Sequence, residues 1–120
     1  MSDCNFDTPQ DIPLNESVLV ELFGEDPELH GILLSEFKDS CQGYHAEFSA
    51  AWDTHDAEGI KFAAHKLKSS SRTVGAEELA DICNQLEKSA KAQDWPQTSL
   101  WYQQVFPAVD RVCQYIAVRE

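Results

Sequence analysis

Apolar residues recur along this chain in steps of three and four, and strand-like alternation is nowhere sustained. The longest run is Leu29, Ile32, Leu33, Phe37, Cys41, Tyr44, Phe48 and Trp52, a single core-facing stripe along one long helix. Asp26-Pro27-Glu28 stands before it in the order of a helix start: a carboxylate to cap free amides, a proline at the first position, an acid in the first turn. Gly43 lies in its interior and costs about 1 kcal/mol against alanine, which predicts a local weakness. Asp56 caps a following helix that reaches Val74, with Ile60, Ala63, Ala64, Leu67, Ser70 and Val74 inward, and Gly75 suits the left-handed position that closes it. The next helix begins at Ala76, carries Glu77 and Glu78 in its first turn, and has Leu79, Ile82, Cys83, Leu86 and Ala90 as its stripe. A last helix starts at Trp95-Pro96 and presents Leu100, Val105, Phe106, Val109, Val112 and Ile116. Pro107 falls inside it, removes a backbone hydrogen bond and crowds the preceding turn, so a kink or break is predicted there. A shorter helix from about Asn15, its cap, to Phe23 has Val18, Leu19 and Leu22 as its apolar side and ends at Gly24.

These elements predict an all-α fold, an antiparallel up-down four-helix bundle with a short additional N-terminal helix packed on as a lid. Short connections favour antiparallel neighbours. Residues 1–13, polar and containing Pro9 and Pro13, read as an extended lead-in, and 14–120 as the helical bundle.

Charge narrows the range of functions. Nine Lys and Arg stand against 21 Asp and Glu, a net charge of -12 over 120 residues, which argues against nucleic acid and against an anionic membrane surface as partners. Met1-Ser2-Asp3-Cys4-Asn5 opens no secretory signal, and no segment approaches the roughly 20 apolar residues of a membrane span, so a cytoplasmic protein is expected. Cys4, Cys41, Cys83 and Cys113 show no C-x-x-C spacing and read as reduced thiols, the last three inside helical patterns.

On this acidic chain the scarce cations become informative. Lys61, His65, Lys68 and Arg72, spaced four, three and four, share one stripe of the helix 56–74, roughly 140° from its core direction at 100° per residue. An exposed imidazole is a nucleophile near neutral pH without a separate base, and adjacent cations suit the oxygens of a phosphoryl group in transfer. Spacing alone leaves a solvated helix face with a bystander histidine equally open. Other chemistries find less support. The residues three before His30, His45, His55 and His65 are Pro27, Gln42, Trp52 and Phe62, so the Glu-x-x-His motif of di-iron bundles is absent and no metal site is expected. No Gly-rich phosphate loop occurs, which leaves no kinase activity of its own. His30, His45 and His55 are expected at the surface or at helix ends.

The segment from Phe62 to Leu86 resembles the histidine-containing phosphotransfer (HPt) domains of multistep phosphorelays. His65, Leu67, Lys68, Ser70, Ser71, Gly75, Leu79, Ala80, Cys83, Leu86 and Glu87 stand where that family's central pattern has the corresponding residues. The resemblance implies that His65 is the phosphoryl acceptor and Lys68 the residue that steadies the phosphoryl oxygens. It implies partners, the receiver domains of hybrid histidine kinases and of response regulators, met around Lys61, Ser69 and Arg72 by a monomer. No cofactor is implied on this chain, with Mg²⁺ expected only on the receiver. Ser69 departs from the family's usual glycine and bears on which receivers fit. A docking module that binds a kinase or receiver without carrying phosphate is the alternative.

Overall fold

The computed structural model describes residues 13–119. Five helices follow one another: α1 (Ser17–Phe23), α2 (Pro27–Asp53), α3 (Ala57–Val74), α4 (Glu77–Lys91) and α5 (Trp95–Arg119). Among the described residues there is no strand, and the connections at 24–26, 54–56, 75–76 and 92–94 are too short for anything but a reversal. In space α2 packs on α3, α3 on α4, α4 on α5, and α5 returns to α2, while α1 lies against α2 and α3. The four-helix bundle with an added N-terminal helix is thus the observed architecture. The expected lead-in falls almost wholly on residues outside those described.

The helix ends form for the reasons the sequence suggests. Asp26 accepts from the Leu29 amide with Pro27 at the first position, and Asp56 accepts from the Gly59 amide. Gly75 takes φ 83° and ψ 18°, the left-handed conformation that closes α3, and its carbonyl accepts from the Asn15 amide at 2.7 Å. Asn15 works one residue earlier than a cap: Glu16 occupies the cap position of α1, and the Asn15 side chain accepts from the Ser17 amide.

Several expectations are corrected. α5 runs unbroken through Pro107, whose ring sits on the exposed side while Val105, Ala108, Val109, Val112 and Ile116 are buried around it. The packing of those residues holds the helix across the missing hydrogen bond. Gly43 lies in the interior of α2, as expected. The buried stripe of α2 opens with His30, Leu34, Phe37 and Cys41 rather than with Ile32, which is exposed. α1 covers that end of α2, and His30 Nε2 lies 2.7 Å from the Gly24 carbonyl, so a histidine expected at the surface or a helix end stands at the start of α2 but is buried and partnered. On α3 it is Ser71, not Ser70, that is fully buried; Ser70 meets the Tyr44 hydroxyl at 3.0 Å. Leu100 of α5 is exposed.

Between α2 and α5 the core is aromatic. Trp52 stacks on Tyr102 with ring centroids 4.3 Å apart, and Trp95, Phe48 and Phe106 pack edge-on around the pair. His55, at the end of α2, and His45 are exposed as expected but each leans on an aromatic ring, Trp95 and Phe106 respectively.

Candidate functional site

α3 is rigidly placed: Ile60, Ala63, Ala64, Leu67 and Val74 are all buried in the core. The alanines let α4 approach closely, and across that seam three side chains converge. His65 Nδ1 lies 3.1 Å from Glu87 Oε2, and the Lys68 ammonium lies 2.6 Å from Glu87 Oε1 and 3.4 Å from Asn84 Oδ1. The His65 side chain is 61% exposed, whereas that of Lys68 is 14% and that of Glu87 23%. Beyond Glu87, the imidazole has no protein partner among the described residues, which leaves Nε2 facing outward.

This geometry divides the stripe read from the sequence. His65 and Lys68 are brought together, but Lys68 is tucked into the α3–α4 seam rather than held out in water. Its neighbours one turn away, Ala64 and Ser71, are buried, so position 68 borders the buried arc of α3. Lys61 is half-covered and pairs with Glu58 at 3.3 Å in the first turn. Ser69 is exposed one turn beyond His65, and Arg72 is exposed in the last turn, where a cation suits the helix C-terminus. Lys61, Ser69 and Arg72 make no shared contact with His65.

Four residues missed by the sequence reading as site members enter with the structure. Glu87, quoted there only as part of a pattern, bridges His65 and Lys68, and Asn84 supports Lys68 from one turn earlier on α4. Phe62, three residues before His65, is 63% exposed, and the Lys66 ammonium sits 5.1 Å above its ring while also pairing with Glu47 of α2 at 2.6 Å. Phe62 and Lys66 give the face around His65 an apolar point with a cation over it.

The electrostatics of the trio are those of a matched pair beside a nucleophile. Burial alone would raise the Glu87 carboxyl, but hydrogen bonds from Lys68 and His65, with the Lys68 charge, outweigh it and hold Glu87 below its ordinary value. Glu87 is therefore ionised near neutral pH and can only accept. In the neutral imidazole, Nδ1 of His65 then carries the hydrogen and Nε2 the lone pair. Cys83, buried beneath this seam, is pushed up to about 12, chiefly by burial, and stays a thiol. Among the described residues no group of three or more His, Cys, Asp or Glu side chains is placed to hold a metal ion, and no helix is long and apolar enough to cross a membrane.

The model of one protein family, the Hpt domain, matches residues 32–115, which include the whole of α3 and α4. Among solved structures, the chain is similar to histidine-containing phosphotransfer protein B (HptB) from Pseudomonas aeruginosa PAO1, with a TM-score of 0.81 and 24% identity over 89% of this chain and 93% of that one. At that identity the likeness speaks for the fold. No curated protein matches the chain.

Proposed function

Because the chain belongs to the Hpt domain family, we propose that it is a phosphorelay intermediate that takes a phosphoryl group onto His65 from the aspartate of one receiver domain and passes it to the aspartate of another. The observation that carries this reading is the outward Nε2 of an imidazole whose Nδ1 is already tied to a carboxylate at 3.1 Å.

The chemistry follows from that arrangement. The Nε2 lone pair attacks phosphorus, and the bond from phosphorus to the receiver's aspartate oxygen breaks, returning that group to a carboxylate. The ring becomes positive as the N–P bond forms, and Glu87 already faces the Nδ1–H, so no reorganisation is needed to meet the new charge. Lys68, one helical turn away, supplies a cation within reach of phosphoryl oxygens while anchored by Glu87 and Asn84. Transfer onward runs these steps in reverse. No step requires a nucleotide or a metal held by this chain; the receiver brings Mg²⁺.

The partners are the receiver domains of a hybrid histidine kinase and of a response regulator, met in the cytoplasm by a monomer. Exposed Phe62, Ser69 and Arg72 and half-buried Lys66 around His65 form the surface on which they dock. The test is incubation with a phosphorylated receiver carrying labelled phosphate. Wild type is expected to take up acid-labile, base-stable label. His65→Gln should take up none while melting within about 0.5 kcal/mol of wild type, since the ring is exposed. Label retained on His65→Gln refutes the assignment, and a stable complex with an unlabelled wild-type chain favours the docking module instead.

A further inference from the structure

Where α2 faces α5, a cleft of roughly 360 Å³ is lined by Lys38, Cys41, His45, Phe106, Asp110 and Cys113. Cys41 is buried and Cys113 half-buried at its wall, and the two thiols hydrogen-bond to each other across the helix pair. Nothing in the phosphoryl chemistry of His65 uses them. We infer that Cys41 and Cys113 are a dithiol modification site, oxidised by a small hydroperoxide to a disulfide that ties α2 to α5.

The two sulfurs are not equivalent. The hydrogen bond from Cys41, with the nearby Lys38 ammonium, brings the Cys113 thiol below its ordinary value, against the opposing effects of burial and Asp110. Cys41, the donor in that bond and more deeply buried, is pushed up and keeps its proton. Half-buried Cys113, open to the cleft, is the sulfur that a small peroxide reaches, and buried Cys41 is the resolving thiol.

In the first step the Cys113 thiolate attacks one oxygen of hydrogen peroxide. The O–O bond breaks, the sulfur becomes a sulfenic acid, and the departing hydroxide takes up a proton as water. In the second step Cys41 sulfur attacks Cys113 sulfur, the S–OH bond breaks, and hydroxide leaves with the Cys41 proton as a second water. Two thiols lose two electrons in all, and the peroxide gains them. Cys83, fully buried and pushed up to about 12, lacks these conditions in the same molecule. The link would join α2 to α5, which touch far less than α3 and α4 do.

The experiment treats the reduced full chain with hydrogen peroxide, blocks remaining thiols with an alkylating reagent, and maps the cysteines by digestion and mass spectrometry. A peptide pair joining Cys41 to Cys113 within one chain, two hydrogens lighter and reversed by dithiothreitol, is expected. Its rate of formation should exceed the oxidation of Cys83 by at least tenfold. Cys41→Ser should leave a Cys113 sulfenic acid that dimedone traps. The inference is overturned if Cys113 reacts no faster than Cys83 in wild type, or if the disulfide joins other cysteines or separate chains. Both readings come from wild type, so they hold whether or not a serine variant folds.

Discussion

Replacing Glu87 by glutamine keeps the shape of the side chain and removes the charge that His65 and Lys68 share. In the wild type, Glu87 accepts from both, at 3.1 Å and 2.6 Å. The variant leaves a Lys68 ammonium only 14% exposed beside a neutral amide. A hydrogen bond to a charged partner is worth about 1.5–3 kcal/mol. The glutamine oxygen still accepts one bond and water reaches part of the seam, so a loss of about 1–2 kcal/mol is expected in urea unfolding. Transfer should suffer separately. The amide can donate to Nδ1 as well as accept from it, which no longer selects the form with its lone pair on Nε2, and the ring's positive charge meets no carboxylate. Losing about 1–1.5 kcal/mol of that preference slows transfer roughly tenfold. The pH dependence of stability has a defined sign. Glu87 is lowered in the folded chain, so its contribution is fully present above the unfolded carboxylate value of about 4.3 and is lost as pH falls through the folded one. Wild type and variant stabilities should converge below that window. The assay pairs urea titrations from pH 3 to pH 7 with initial rates of labelled transfer from one phosphorylated receiver. A variant with wild-type transfer at pH 7 would refute the role given to Glu87, and a stability gap that persists unchanged at pH 3 would refute its electrostatic basis.

Lys68→Ala should slow transfer more than it weakens receiver binding, and should also cost about 1–2 kcal/mol of stability by leaving Glu87 without its cation; a wild-type rate with tenfold weaker binding in titration calorimetry would make Lys68 a docking residue. Ser69→Gly, at an exposed position, should change stability by less than about 1 kcal/mol while altering rates across a panel of phosphorylated receivers; an unchanged panel beside a large fall in melting temperature would contradict this. Gly75→Ala should destabilise by at least about 2 kcal/mol in urea, because φ is +83° and the added carbon would meet the Asn15 carbonyl oxygen at 2.1 Å; a wild-type midpoint would show that this turn relaxes freely.

Local signals made most of the fold legible. Asp26, Asp56, Gly24 and Gly75 mark helix ends through interactions within a few residues, and the stripes of α3 and α4 repeat with a period that a sequence displays directly. What stayed hidden depended on partners remote in sequence. Ile32 and Leu34 are equally apolar, and only the packing of other helices against α2 decides that Leu34 goes inside. Pro107 breaks a local rule, but the buried residues on either side hold α5 together. The site divides the same way. His65 was visible because its exposure and cationic neighbours belong to one helix, whereas Glu87 stands 22 residues away, and only the register of α3 against α4 brings it to the ring. The covered position of Lys68 could have been read from buried neighbours at 64 and 71, had the packing arc been drawn one residue wider.

The aromatic seam between α2 and α5 also equips the molecule with a spectroscopic reporter. Trp52 and Trp95 lie in that seam, whereas Trp101 faces α4, and Trp52 stacks on Tyr102 at 4.3 Å, close enough for excitation absorbed by the tyrosine to emerge as indole emission. His65 and Glu87 belong to the opposite pairing of α3 with α4. Emission excited through Tyr102 should therefore register the parting of α2 from α5, so that unfolding can be followed optically in a sample whose phosphoryl content is varying.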